Sequence, residues 1–495
     1  MKNFWRNFND IDLIFGICLL MFGAVSVYMV FSSTFVLCDT IEHLRASLAV
    51  ALGMKPYVDF FEHHHPLLWY VLSPLVKRFY LDVNILYILR IVSVLVRWGI
   101  IYLVYKISED LYGKRTAKFA TLFLISVPYL WVVMATLQPD IFMLFCFLAG
   151  LRFFLAYLDR PKLQYLMISY LLMVISFMFL QKAVFMLVVF GGFNLYCLYK
   201  KLISIRDFVW AASIAILPML MALGFLFYKG MLTNFIYYNY IFNTHVREYY
   251  GFYQDYNGVV LNVIMLFLAM VVIRVYKFSL KSSVIFWCFL LQLLFMWYFS
   301  PYVQYSTAGF VFAAILVGEV LSRKKISVVM LLIVFILSVI LLCPTDEERK
   351  GFNKYMQTAK LIVTQNMHDE MLDLSIMQVN IFGAIKNFYW FGFQNAVVID
   401  QLYHFDDNFD LFELIKSQKP KYLILPAKDL IVMWHQKWFG YRNRLLLRKM
   451  QHYPKLKSRL IGISSDYWQI DEDWVEKNYT KDANIQIYRR KDEVK

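Results

Sequence analysis

The sequence predicts an α-helical polytopic membrane protein with an external α/β domain at its C-terminus. Of the 495 residues, 60% are hydrophobic and only 17% are charged, whereas globular domains average about 45–50% apolar and about 25% charged residues. Apolar windows of about 20 residues, enough to cross a bilayer core of about 30 Å, recur as far as residue 343. Charged and polar residues then become frequent. This pattern excludes an ordinary soluble enzyme.

The apolar windows predict about eleven transmembrane helices. The first window lacks the small-residue cleavage site of a secretory signal, so we interpret it as a retained helix. The predicted spans are 11–36, 84–106, 117–136, 139–158, 163–181, 183–200, 208–228, 258–277, 282–299, 302–322 and 326–343.

Basic residues indicate the orientation, because lysine and arginine in short loops stay on the cytoplasmic side. They concentrate at the N-terminus and in the loops near residues 106–118, 160–162, 200–206, 274–281 and 323–325. The expected location is therefore the inner (plasma) membrane, with a cytoplasmic N-terminus and a periplasmic C-terminal part. The net charge of +15 then reflects membrane topology and does not indicate a nucleic-acid partner.

This orientation divides the chain into a membrane part, residues 1–343, and an extracytoplasmic part, residues 344–495. Two outer segments of the membrane part, 37–83 and 229–257, are long enough to build a site, and the cytoplasmic loops contain no nucleotide-binding motif. In the extracytoplasmic part, short apolar runs predict strands and one segment predicts a helix between the first two, which favours a small parallel sheet. The strands are predicted at 396–399, 422–425 and 485–488, and the helix at 411–416.

The first outer segment holds the densest cluster of ionisable side chains near the membrane. Residues 38–70 read CDTIEHLRASLAVALGMKPYVDFFEHHHPLLWY. The apolar spacing at the start predicts an amphipathic helix that lies on the bilayer surface and ends at Gly53 and Pro56. Pro66 can open a second helix, since proline suits a first turn. Carboxylates and imidazoles between the two helices would then lie where membrane and water meet.

These motifs resemble the polyprenyl-phosphate-sugar-dependent glycosyltransferases of the GT-C fold, of the protein O-mannosyltransferase and lipid A aminoarabinose transferase type. The resemblance is carried by Asp39 directly after the first span, by Gly53, and by the stretch PYVDFFEHHHPLLWY. Short turns at Pro139-Asp140, Lys182 and Pro301-Tyr302 are also similar to turns of that family.

The resemblance implies catalytic roles for Asp39 and Glu62. In that family an aspartate at the end of the first span is the general base, and an acceptor hydroxyl must lose its proton as it attacks. Glu62 and His63 occupy the places of the family's glutamate and the basic residue after it. Many relatives have Asp-Glu where Asp39 and Thr40 stand, so the second acid's role is either absent or taken by Glu42 or Glu62.

The leaving group implied by the resemblance is a lipid phosphate, whose growing negative charge calls for hydrogen-bond donors and cations. The partners expected are a polyprenyl-phosphate-linked sugar donor, an extracytoplasmic acceptor and the bilayer. The candidate residues for binding the phosphate or the substrate are His63, His64, His65, Lys182, Asp140, Arg247, His245 and Tyr302.

No metal or other cofactor is expected to be required. The alternative is a divalent cation held by Asp39, Glu62 and His63, because carboxylate and imidazole suit such ions.

The sequence therefore predicts a glycosyltransferase that moves a sugar from polyprenyl phosphate to protein, lipid A or an envelope glycan, with inversion at the anomeric carbon. One alternative is a secondary transporter or flippase, although such folds use glycine-interrupted helices and this chain has only 19 glycines. Another is an O-antigen ligase or polymerase, which uses pyrophosphate carriers.

Overall fold

The protein is described by a computed structural model that covers most of the membrane part and portions of the C-terminal part. The described residues are 11–32, 37–127, 130, 133–244, 256–275, 279–299, 306–323, 328–375, 378–391, 411–425, 472–481 and 487–493.

The described residues of the membrane part form mainly helices, which are joined by loops. Their bounds are α1 Ile11–Ser32, α2 Leu37–Ala51, α3 Leu67–Arg78, α4 Ile85–Tyr112, α5 Lys114–Ile125, α6 Pro139–Asp159, α7 Leu163–Phe179, α8 Ala183–Tyr199, α9 Ile205–Tyr228, α10 Leu232–Ile236, a π-helix Tyr237–Phe242, α11 Tyr256–Val275, α12 Leu280–Phe299, α13 Ser306–Arg323 and α14 Val328–Leu342.

Within the described residues, five helices are long and apolar enough to cross a membrane, namely α1, α4, α6, α9 and α13. Five shorter apolar helical stretches lie within α7, α8, α11, α12 and α14. These helices agree with a multi-pass membrane protein, while the number of spans stays a prediction.

The span predicted over residues 117–136 differs from the structure. Helix α5 ends at Ile125, and Ser126 caps it by donating its hydroxyl to the carbonyl of Leu122 at 2.6 Å. Val127 precedes a proline in the sequence, and a residue before proline disfavours the helical conformation. Residues 133–138, directly before α6, are non-helical, and they include residues of the site.

The core of the bundle lies around α13, most of whose side chains are buried between α5, α12 and neighbouring helices. A Cβ added at Gly318 would meet the backbone of Ala120 on α5 at 2.6 Å. Small residues at this crossing therefore let the two backbones approach closely, as is common in membrane bundles.

Helix α2 begins next to the first span, as expected, and ends before Gly53, whose φ of 90° favours glycine. That α2 lies on the bilayer surface stays a prediction, but the expectation that its polar face is exposed is wrong. Glu42, His43 and Arg45 are only 7%, 2% and 6% exposed, because other parts of the chain cover the polar face of α2. That cover encloses the site.

The C-terminal part contains helix α15 and a small mixed sheet. The bounds are α15 Asp346–Thr364, β1 Met371–Asp373, α16 Leu411–Gln418, β2 Tyr422–Ile424, α17 Glu472–Asn478, β3 Tyr479–Lys481 and β4 Tyr488–Arg490. The strand order is β1-β2-β4-β3, with β1 and β2 parallel and the other two pairs antiparallel.

The structure confirms the α/β character but corrects the sheet. Strand β2 lies within the predicted strand 422–425, α16 covers the predicted helix, and the strand predicted at 485–488 begins only at Tyr488. Strand β1 was missed, and the strand predicted at 396–399 lies outside the described residues. The antiparallel pairs differ from the expected parallel sheet because β3 and β4 are joined by a short connection.

Candidate active site

Asp39 lies in the first turn of α2, where a carboxylate is favoured by the helix dipole. The side-chain amide of Gln138 donates a hydrogen bond to Asp39 Oδ2 at 2.7 Å. The Cys38 thiol contacts the other carboxylate oxygen at 3.5 Å. Both oxygens are thus held in place.

The surroundings raise the pKa of Asp39 to about 6. Burial is the largest cause, and the nearby charge of Asp140 acts in the same direction. The hydrogen bonds from Gln138 and Cys38 and the charge of Lys182 partly oppose it. A carboxylate with this pKa is ionised at neutral pH yet more basic than an ordinary aspartate, which suits a general base.

The segment that carries Gln138 is anchored from two sides. Arg97, on α4, donates a hydrogen bond to the carbonyl of Thr136 at 2.8 Å. The Thr40 hydroxyl, next to Asp39 on α2, accepts a hydrogen bond from the backbone N–H of Leu137 at 3.0 Å. Thr40 stands at the position where the resemblance implies a second acid in many relatives. Here it helps to position Gln138, the hydrogen-bond partner of Asp39.

Lys182 and Asp140 form an ion pair of 3.2 Å beside this carboxylate. Asp140 lies in the first turn of α6, after Pro139, and Lys182 directly precedes α8. The pair lines a cleft of about 430 Å³, a volume that includes the open mouth of the cleft. Gln138, Gln292 of α12 and Thr307 of α13 line the same cleft. The structure thus brings Asp39, Asp140 and Lys182 together.

Glu62 lies in a second, deeper group. It is fully buried, and its Oε2 contacts Nδ1 of His64 at 3.4 Å. Ligating atoms of Glu42, Glu62, His63 and His64 all lie within 4.8 Å of one another. Among the described residues, Glu62 Oε1 and His63 Nδ1 are buried without a hydrogen-bond partner. The side chains of His63 and His64 therefore point toward the same place, beside the carboxylates of Glu42 and Glu62.

The pKa values in this group shift toward neutral side chains. Burial, and then the charge of Glu42, raise the pKa of Glu62 well above its usual range. Burial, with a contribution from Lys182, lowers the pKa of His63 to about 4. The resemblance implied a basic residue at this position, but His63 is a neutral imidazole at pH 7. It can donate a hydrogen bond to a phosphate, while the positive charge comes from Lys182.

His65 does not join this group. Its Nδ1 donates to the carbonyl of Phe177 at 2.7 Å, and its Nε2 accepts from the hydroxyl of Tyr240 at 3.0 Å. Both ring nitrogens are therefore used to tie the loop to the end of α7 and to the π-helix. His65 is predicted from the sequence to bind the phosphate or the substrate, and with both ring nitrogens bonded within the protein it differs in this respect from His63 and His64.

The deeper group also changes the ligand set for the alternative divalent cation. Carboxylates and imidazoles suit Zn²⁺ or Mn²⁺, and the two buried atoms without a partner are compatible with such an ion. Asp39, which the sequence suggested as a ligand, is not a member of the group, whereas Glu42 and His64 are. Tetrahedral Zn²⁺ ligands lie about 3.3–3.6 Å apart, so side chains separated by up to 4.8 Å would have to close on an ion.

Three candidates, His245, Arg247 and Tyr302, lie outside the described residues. The sequence did not predict Gln138 as the hydrogen-bond partner of Asp39, although the sequence shows Gln138 directly before Pro139. It also missed His43.

The buried imidazole of His43 accepts a hydrogen bond from the indole N–H of Trp69 at 3.2 Å. Burial, and then the charges of His63 and Lys182, lower the pKa of His43 to about 3. His43 is therefore neutral at pH 7, and its ring lies 5.4 Å from that of His64. A histidine on a predicted surface helix did not indicate such burial.

Two solved structures are similar to this chain. One is ArnT from Cupriavidus metallidurans bound to undecaprenyl phosphate, with 15% identity, a TM-score of 0.47, and coverage of 75% of this chain and 74% of that chain. The other is an oligosaccharyltransferase from Archaeoglobus fulgidus tethered with an acceptor peptide, with 12% identity, a TM-score of 0.43, and coverage of 84% and 69%. No curated protein matches the sequence.

A family model also matches part of the chain. The matched region, residues 65–228, runs from the start of α3 to the end of α9 and includes Asp140 and Lys182, whereas Asp39 and Glu62 precede it. Residues 65–228 match the dolichyl-phosphate-mannose-protein mannosyltransferase family, which confirms the resemblance to glycosyltransferases predicted from the sequence.

Proposed function

We propose that the protein is a membrane glycosyltransferase that moves a sugar from a polyprenyl-phosphate donor to an acceptor outside the cytoplasm. The acceptor class is protein, lipid A or an envelope glycan. Transfer proceeds by a single displacement that inverts the anomeric carbon, and it requires no metal cofactor.

Asp39 is the general base in this proposal. The acceptor hydroxyl attacks the anomeric carbon and passes its proton to Asp39, while the bond from that carbon to the phosphate oxygen breaks. The observation that carries the proposal is the arrangement of Asp39, oriented by Gln138 and with its pKa raised to about 6, beside the Lys182–Asp140 pair. The charges of Lys182 and Asp140 act on Asp39, so base and cation belong to one site and can serve the two ends of one displacement.

Lys182 stabilises the phosphate as its charge grows, and this effect is strong in a site partly shielded from water. His63 adds a hydrogen bond from its neutral ring. Glu62 lies one residue before His63 and anchors this side of the site through its contact with His64. The match of residues 65–228 to the dolichyl-phosphate-mannose-protein mannosyltransferase family supports this class of donor.

The test uses the purified protein reconstituted in lipid. Polyprenyl phosphates with tritium-labelled sugars are supplied with a cell-envelope extract that contains all three acceptor classes, and the labelled product is isolated. Asp39→Asn should lower the rate about 10²–10⁴-fold, the usual contribution of a positioned base. Asp59→Asn serves as the matched control, because Asp59 is an exposed aspartate in the same outer segment.

Full activity of Asp39→Asn would remove the proposed base. Absence of transfer by the wild type, together with sugar uptake into sealed vesicles, would favour a transporter instead. The anomeric configuration of the product, compared with that of the donor, tests inversion separately.

A further inference from the structure

Residues 378–391 of the C-terminal part lie against the loop that carries Glu62. We name them the clamp segment. The indole N–H of Trp390 donates a hydrogen bond to the carbonyl of Phe61 at 3.0 Å. The N–H of Phe61 in turn donates to the carbonyl of Phe388 at 2.8 Å. Both backbone polar groups of the residue before Glu62 are therefore bonded to the clamp segment.

Arg45, a buried residue of α2, fastens the clamp segment to the membrane part. Its guanidinium donates to the side-chain oxygen of Gln378 and to the carbonyl of Gly383, the latter at 3.0 Å. It also lies over the Trp390 ring, 5.0 Å from the centroid. Burial lowers the pKa of Arg45 to about 10, and the charge of Asp373 opposes the shift, so Arg45 stays charged at neutral pH.

The clamp segment is braced internally. The Gln378 amide donates to the carbonyl of Trp390 at 2.9 Å, and the Asn380 amide donates to the carbonyl of His368 at 2.8 Å. A Cβ added at Gly383 would meet the Asn380 amide nitrogen at 2.4 Å. These contacts restrict the position of Trp390, because buried hydrogen bonds and close packing resist displacement.

The contacts join three parts of the site. Arg45 is on the same helix as Asp39, and Phe61 directly precedes Glu62 and His63. The ring of Phe61 also stacks on that of His63, with centroids 5.9 Å apart. A shift of Phe61 would therefore move both ionisable side chains relative to Asp39.

We propose that Trp390 is a positioning residue, which holds Glu62 and His63 in register with Asp39 through the backbone of Phe61. This inference rests on the proposed function. It makes the C-terminal part a structural component of the reaction site. Misplacement by about 1 Å can lower a rate about 10²-fold, so the clamp segment acts on turnover more than on donor binding.

The test compares Trp390→Phe with the wild type in lipid. Phenylalanine keeps an aromatic ring under Arg45 but has no N–H to donate to Phe61. We expect kcat to fall about 10-fold or more, with the KM for the polyprenyl-phosphate sugar changed less than about twofold. Hydrogen exchange should become faster in peptides that cover residues 57–65 and stay unchanged in peptides from α1.

Trp474→Phe is the matched control. Trp474 also belongs to the C-terminal part but packs against Phe412 and Tyr479. This variant should leave kcat and the exchange of residues 57–65 unchanged. If Trp390→Phe folds poorly, Arg45→Lys tests the same clamp, since lysine keeps the charge but lacks the planar guanidinium whose two nitrogens bond Gln378 and Gly383.

Two results would overturn the inference. One is unchanged exchange of residues 57–65 in Trp390→Phe, and the other is faster exchange or lower thermal stability with unchanged kcat, which would indicate a merely structural role. Hydrogen exchange does not depend on turnover. A wild type that transfers no sugar therefore refutes the proposed function, whereas unchanged exchange refutes the clamp.

Discussion

Gln138 donates a hydrogen bond from its side-chain amide to Asp39 Oδ2 at 2.7 Å, across two helices that are far apart in the sequence. Gln138 belongs to the non-helical residues 133–138 before α6 and has an extended backbone, whereas a helical span continued through residue 136 would place it differently. The backbone N–H of Leu137 reinforces it by donating to Thr40. The early end of α5 thus serves the orientation of the carboxylate.

The pH dependence of transfer should report Asp39. Its pKa is raised to about 6, and the base must be deprotonated to accept a proton. The value of kcat/KM should therefore be constant above about pH 7 and fall about tenfold per pH unit below about pH 5. His63, with a pKa of about 4, should add no step near neutral pH. A limb centred near pH 4 would contradict this assignment.

Gln138→Leu should shift the acid limb of the pH profile of kcat/KM. The Gln138 hydrogen bond lowers the pKa of Asp39, so its loss should shift the acid limb to higher pH. Gln138 also orients the carboxylate, and misplacement by about 1 Å can lower a rate about 10²-fold, so the plateau should also fall, by about 10–100-fold. The measurement is the pH profile of the variant beside that of Gln292→Leu, which changes another glutamine of the cleft. An unmoved limb would show that Gln138 does not act on Asp39.

Mutations of Lys182 and Asp140 should lower kcat/KM by different amounts. If Lys182 contacts the donor phosphate, Lys182→Met should lower kcat/KM about 10–100-fold, the range for a charge-assisted hydrogen bond, and Asp140→Asn should cost less. A double-mutant cycle measures their coupling. Equal losses in both single variants, with no further loss in the double variant, would mean that the pair acts only as a unit that shapes the cleft.

The sequence predicts much of this site, because Asp39, Asp140 and Lys182 each stand at a helix end that apolar windows and prolines mark out. It does not predict the neutral state of His63, which depends on burial by chain segments remote in sequence. Helical periodicity likewise does not predict that residues 378–391 cover Arg45. Contacts between distant segments also bury the polar face of α2, which the helical periodicity alone would leave exposed.

Metal removal should leave transfer intact. The cations that the mechanism needs are supplied by Lys182, and Asp39 is not in the group formed by Glu42, Glu62, His63 and His64. Dialysis against EDTA, followed by metal analysis and rate measurement, is the check. Loss of activity that Zn²⁺ or Mn²⁺ restores in the wild type but not in Glu62→Gln would refute this expectation and identify the deeper group as a metal centre.

His65→Leu should affect stability without affecting donor binding. Both ring nitrogens of His65 are bonded within the protein, to Phe177 and Tyr240. The leucine variant leaves the half-buried Phe177 carbonyl and the Tyr240 hydroxyl without their His65 partner, which costs about 1–3 kcal/mol and should lower the Tm measured in detergent. For the folded fraction, the KM for the polyprenyl-phosphate sugar should stay within about twofold of the wild type.

His63→Leu is the matched comparison, since its Nδ1 has no partner among the described residues and its loss should change kinetics more than Tm. A raised KM with an unchanged Tm in His65→Leu would restore His65 as a substrate-binding residue.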